Sequence, residues 1–240
     1  MKKLVTSIAA VAALAGASVH ATPIRLDGPE TDLQQVVNNL TLGGASSIDV
    51  VNEQYGLDEG WQINSIFGAQ GRIVMELAGY AGVNSLGIYD IYNPNLRVQL
   101  FSGSASAGAT TSFDIGSDGT VYRNDMDTGA TFATNLFGFY LNTPAGLWFS
   151  QGDLNADHAD HMVAYQGVGD HLTGGRTWGP DQFLLAWEDL ASNSWDQDYN
   201  DFVLFVRGVS GVNVPEPGTL GLLGLSIVGI GLFGRRKQKA

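Results

Sequence analysis

The densest chemistry in this chain lies between residues 187 and 202. Glu188 and Asp189 close one apolar run, and Asp196, Asp198, Asn200 and Asp201 lead into another. If the two runs pair as a hairpin, all six oxygen-bearing side chains crowd one loop. Carboxylates packed this way repel one another unless a cation lies between them. Calcium is the natural occupant, since it takes six to eight oxygen ligands in loose geometry, whereas magnesium demands a stricter octahedron. The Asp-x-Asp-x-Asn start is that of an EF-hand, but the sixth position is Asp201, not Gly, and the twelfth is Arg207, not Glu. That motif is therefore rejected. Asx side chains also build turns by bonding their own backbone, so a purely structural loop stands as the alternative.

A second, weaker group is Asp153, Asn155 and Asp157, which repeat the alternating oxygens. His158 and His161 beside them invite a zinc reading, but the spacing is not His-Glu-x-x-His. A solvated loop is the preferred reading there, with a second calcium site as the next. Catalytic constellations do not assemble. There is no Gly-x-Ser-x-Gly elbow, and the absence of cysteine excludes a thiol nucleophile and zinc-thiolate or iron–sulfur sites. Carboxylate pairs for glycoside cleavage can be drawn from Glu76, Glu188 and many aspartates, but chance pairs abound in so acidic a chain. Trp61, Trp148, Trp178 and Trp195 would stack on sugars if exposed, and a Trp in a β-sandwich is more often core.

The elements that must position these groups are strands. Apolar and polar residues alternate at Ile73, Met75, Leu77; Val98, Leu100; Phe113, Ile115; Phe137, Phe139, Leu141; His161, Val163, Tyr165; and Phe183, Leu185, Trp187. Each is a period-2 signal with one face inward. The more uniformly apolar runs 86–92 and 202–206 read as central strands, with turns at 92–95, 116–119 and 174–175. Leu33, Val36, Val37 and Leu40 form a helical stripe over 32–40, capped by Thr31 or Asp27 and ended by Gly43 and Gly44. Nine or so strands with one short helix predict an all-β fold, an antiparallel sandwich of jelly-roll type.

Both ends carry addresses. A charged start, an apolar run over 4–17 and a small-x-small site at Val19-His20-Ala21 predict a signal peptide over 1–21, with Thr22 as the mature first residue. At the other end Pro215, Glu216 and Pro217 precede an apolar run over 219–234 and a basic cluster over 235–239. This is a stop-transfer pattern. Its sixteen residues make roughly 24 Å of helix at about 1.5 Å each, slightly short of a hydrocarbon core of about 30 Å. All three parts of 214–240 resemble the PEP-CTERM sorting signal of Gram-negative bacteria. The resemblance implies recognition by an exosortase-type enzyme, with cutting near Pro217 or retention as an anchor. Export through the inner membrane to the cell surface or medium follows.

Between the signals, residues 22–213 suffice for one domain. Six arginines face 23 acids there, a net of −17, and no lysine occurs. Such a surface repels nucleic acid and anionic lipid, and attracts divalent cations or basic partners. Trp187-Glu188-Asp189-Leu190 followed by the 196–201 acidic run is similar to the C-terminal signature of the DUF4114 family. The stretches 77–82 with 86–90, and 137–141 with 161–165, extend that resemblance over about 70–207. It implies a metal-binding role for the acidic motif and carries no established activity. The expectation is an exported, non-enzymatic surface or matrix protein, stabilised by calcium and associated with exopolysaccharide or other envelope components. A carbohydrate-binding module and a matrix polysaccharide hydrolase are the alternatives.

Overall fold

The computed structural model describes residues 22–28, 30–76 and 82–214. Helix α1 (Leu33–Leu40) comes first, followed by fifteen strands. These are β1 (Gly60–Ile63), β2 (Ala69–Glu76), β3 (Ser85–Asp90), β4 (Asn93–Phe101), β5 (Thr110–Ile115), β6 (Thr120–Arg123), β7 (Met126–Thr131), β8 (Leu136–Asn142), β9 (Leu147–Phe149), β10 (Met162–Gln166), β11 (Asp170–His171), β12 (Thr177–Trp178), β13 (Gln182–Trp187), β14 (Phe202–Arg207) and β15 (Val209–Val212). One sheet runs β15-β1-β8-β3-β4, with β9 on β8; the other runs β10-β13-β14-β2-β5-β6-β7. The paired strands are antiparallel throughout. The expected all-β sandwich with one short helix is what forms.

The two sheets enclose an aromatic core. Trp61, Phe137 and Phe139 of one sheet meet Phe113, Phe183 and Phe202 of the other. Trp61 and Phe183 lock edge to face at 5.0 Å between ring centroids. This arrangement suits the ring quadrupoles. The expectation of strands with one wet face needs correction at the centre. In β13, Phe183, Leu185 and Trp187 enter the core between the sheets, while Leu184 and Ala186 point the other way and are buried as well. The reason is α1. Leu33, Val36 and Val37 lay the helix stripe over the outer face of the larger sheet and make a second core with Leu184, Ala186, Val203 and Tyr165. Leu86–Asp90 and Phe202–Arg207 lie inside their sheets as expected.

Several boundaries differ from the sequence pattern. Asp32 caps α1, its Oδ1 accepting from Gln35 N at 2.7 Å, in place of Thr31 or Asp27. Asn93 and Pro94 open β4, so the turn before it is residues 91–92. Pro94 is tolerated because β4 is an edge strand and needs no donor on its open side. Leu77 and the rest of 77–81 lie outside the described residues, as do the expected signal peptide over 1–21, the sorting residues Pro215, Glu216 and Pro217, and the apolar run 219–234. Among the described residues no helix is long and apolar enough to cross a membrane.

Candidate metal centre

β13 and β14 pair in full register from Gln182↔Arg207 to Trp187↔Phe202, so the acidic loop 188–201 closes a hairpin. The backbone inside the loop is unusual. Gln197 and Tyr199 both take positive φ, 68° and 54°. Non-glycine residues adopt this left-handed region at a cost on the order of 1 kcal/mol each. Tyr199 holds the conformation in place, since its ring is fully buried and its hydroxyl donates to Asp160 O at 2.6 Å. The two kinks turn Asp198 and Asn200 inward, leaving them 3 % and 0 % exposed.

Glu188, Asp196 and Asp198 each bring an oxygen within 4.8 Å of the other two. Glu188 is fully buried, and its Oε1 accepts from Tyr199 N at 3.0 Å. Burial pushes the Glu188 carboxyl up to about 8, with the charges of Asp196, Asp198 and Asp189 adding to the rise. Asp198 is raised to about 6, by burial first and Asp196 second. Beside this trio lies a second set. Asp201 Oδ2 accepts from Asp189 N at 2.9 Å, and Asp189 Oδ2 accepts from Asn84 Nδ2 at 2.9 Å. Burial and the neighbouring Asp189 push Asp201 up to about 8. Asn200 Nδ2 donates to Thr31 O and to Asp198 Oδ2, at 2.9 and 2.6 Å.

Four buried side-chain polar atoms among the described residues lack a hydrogen-bond partner: Asn84 Oδ1, Trp187 Nε1, Glu188 Oε2 and Asn200 Oδ1. Three are oxygens on residues of this one cluster. Buried acceptors without partners are rare in folded proteins, and each calls for an explanation. All three lack the same thing, a donor or a positive charge.

All six sequence candidates stand on this one loop. Glu188, Asp196 and Asp198 make the central trio, Asn200 bonds Asp198, and Asp189 with Asp201 forms the flank. Sequence reasoning missed Asn84, whose amide meets Asp189 across 105 positions and has no motif around it. It also missed the N-terminal segment. Arg25 N donates to Gln197 O at 2.8 Å, and Glu30 adds its charge to the field that raises Asp198.

The weaker group is arranged differently. Asn155 is 1 % exposed and its amide is spent on the loop: Oδ1 accepts from Phe149 N, and Nδ2 donates to Phe149 O and Ala159 O. Asp157 accepts from Ser192 N and Ala159 N and pairs with His161 Nε2 at 3.1 Å. Burial opposes ionisation of Asp157, yet these donors hold its carboxyl down at about 2. Asp153 remains exposed. His161 is fully buried and stacks on Trp148 at 3.9 Å, which makes it a packing residue. Trp61, Trp148 and Trp178 are buried too, so of the four tryptophans considered for sugar stacking only Trp195 keeps some exposure.

Comparison with known families agrees with the two resemblances. Residues 106–209 match the family described as Domain of unknown function (DUF4114), and residues 213–237 match the PEP-CTERM protein-sorting motif. The first match begins at residue 106, so β1 to β4 fall outside it, and it includes the acidic loop entire. No curated protein and no solved structure matches the chain. The sorting motif marks an exported protein, anchored at the membrane for sorting by an exosortase.

Proposed function

We propose that this exported protein is a non-enzymatic surface or matrix component whose sandwich is locked by one calcium ion at the 188–201 loop. The carboxylate trio of Glu188, Asp196 and Asp198 supports this reading most, because Glu188 Oε2 within it is buried without a partner and a cation would supply one. Calcium–oxygen bonds of about 2.3–2.6 Å place ligands across one ion about 5 Å apart. Oxygens of Glu188, Asp196 and Asp198 lie within 4.8 Å of one another, inside that span. The ion holds these carboxylates ionised, offsetting the burial and the mutual repulsion that otherwise raise Glu188 and Asp198. Burial of Glu188 also argues against hydrolysis, since a polymer substrate has no path to a carboxyl that is 0 % exposed. In the matrix the partner is exopolysaccharide, which an acidic domain without lysine meets through specific contacts and not through bulk charge.

Thermal melting of the purified exported protein tests the ion. Extracellular calcium sites often have Kd values of about 10⁻⁴ to 10⁻³ M. Tenfold saturation of such a site contributes about 1.4 kcal/mol, a rise in Tm of roughly 3–6 °C for a domain of this size. Asp198→Ala should abolish most of the rise; in chelator the relief of carboxylate repulsion should offset part of the loss of the bonds that Asn200 N and Nδ2 donate to Asp198. A turn residue would lower the melt equally with and without calcium. A shift below about 1 °C at millimolar calcium, against the several degrees expected, would sink the proposal.

A further inference from the structure

The outer face of the larger sheet is only half covered. Helix α1 lies over Leu184, Ala186 and Val203. Past Leu40, at the end of the helix, the same face continues into a trough with a volume of about 630 Å³. Strand register dictates what lines it. Arg207 of β14 stands opposite Gln182 of β13 and Gln70 of β2, and Phe205 stands opposite Arg72. All five therefore share one face, with Arg72 and Arg207 as diagonal neighbours roughly 7–8 Å apart. The β11–β12 hairpin brings Arg176 to the rim. A second cavity of about 750 Å³ shares Gln70 and Arg207 and is bordered by Ile66 and Phe67, which are 92 % and 90 % exposed.

The cations are the unusual part. The exported domain has six arginines against 23 acids, and three of the six line this trough. Elsewhere Arg97 and Arg123 spend guanidinium N–H groups on Pro94 O and Gln99 O. Arg72, Arg176 and Arg207 make no side-chain hydrogen bond with any described residue. The only ion pair among the described residues is His161–Asp157. On a surface that repels polyanions elsewhere, three unpaired guanidinia in one concave site attract and orient them. The lining also fits sugar. Guanidinia take carboxylates in planar, two-pronged bonds. Gln70 and Gln182 offer amides to hydroxyls, and Phe205, half-buried, offers an apolar ring to a pyranose face.

We propose that this trough binds an acidic polysaccharide, with uronate carboxylates held by Arg72, Arg176 and Arg207. The assignment rests on the matrix reading above and names its ligand class and site. It does not depend on the calcium loop.

Affinity electrophoresis of the full exported protein through gels containing hyaluronan, a glucuronate polymer that calcium does not gel, tests it. Retardation is expected in hyaluronan and not in neutral dextran, and should fade between 50 and 200 mM salt, roughly the range over which phosphate-type contacts weaken. Arg72→Gln/Arg207→Gln should lose at least tenfold in affinity at an unchanged Tm, since both side chains are exposed. Asp198→Ala should still bind. Equal retardation of parent and double variant overturns the proposal, as does loss in Asp198→Ala alone, which would route the polymer through the acidic loop. Equal binding of poly-glutamate overturns it in favour of an acidic protein partner. If hyaluronan binding fails while the protein still cosediments with its native matrix, the site is wrong and the matrix reading stands.

Discussion

Glu188 sets how the loop responds to pH. Its folded pKa of about 8 lies above the ordinary 4.5, and that of Asp201, also about 8, lies above 3.8. Without metal, the folded state therefore holds protons that the unfolded chain gives up. This contribution to stability is full below about pH 4 and is lost as pH rises through about 8. In chelator the melting temperature should fall as pH goes from 5 to 8. Calcium competes with those protons, so at millimolar calcium the fall should flatten and binding should tighten with pH. Glu188→Gln should shallow the chelator slope and abolish the calcium shift. A metal-free melt that rises over this range would contradict the raised carboxyl values. The residue types needed for this chemistry were legible in the sequence. The burial that decides their protonation was not, because it depends on Tyr199 and on the N-terminal segment packing over the loop.

At the scale of elements, the loop after β9 shows how a repeated Asx pattern can serve architecture. The amide of Asn155 makes three hydrogen bonds that brace residues 149–159. Asn155→Ala leaves buried backbone groups unpaired and should cost about 2–3 kcal/mol. For a domain of this size that is a fall in Tm of roughly 4–12 °C. The fall should be the same with calcium and with chelator; a calcium-dependent difference would restore Asp153, Asn155 and Asp157 as a second site. The first segment of the domain is held with similar care. Thr22 donates its N–H to Gln54 Oε1 at 2.8 Å and its hydroxyl to Asp160 Oδ2 at 2.6 Å, and its carbonyl accepts from Gln54 Nε2. Burial raises the Asp160 carboxyl, and burial first and the charge of Asp160 second raise Asp58. When the chain starts at Thr22, its free ammonium stands beside this acidic pair. A Met-Ala extension before Thr22 should therefore lower Tm by about 3–12 °C, the equivalent of a charged hydrogen bond of about 1.5–3 kcal/mol. An unchanged Tm would mean the terminus contributes no charge there. The helix cap teaches the same lesson on a smaller scale: three Asx or Thr residues precede α1, and only the entry path of the chain selects Asp32.

The whole molecule joins a β-sandwich domain to a PEP-CTERM sorting motif. The aromatic core draws on both sheets within residues 61–209. Deleting residues 219–240 should release the folded domain into the periplasm or medium, with an unchanged melt. Fractionation would show it in the soluble pool; a truncated protein still in the membrane would remove the anchor from the account. Mass spectrometry of the full protein then separates a cut near Pro217 from a retained span.

What the sequence determined by itself was local or periodic. The C-terminal sorting motif, the strand alternation, the helix stripe and the six-oxygen loop each sit within a few dozen residues, where spacing alone specifies geometry. Tertiary structure decided everything that depends on distant chain. It buried the outer face of β13 beneath α1, which alternation reads as wet. It brought Asn84 to Asp189 across 105 positions. It put Trp61 and Trp178 out of reach of sugars, since a wide aromatic ring gains more from a filled core than from solvent. It also gathered Arg72, Arg176 and Arg207, scattered over 136 positions, onto one trough. Strand register, a property of pairing between remote segments, is what places them there.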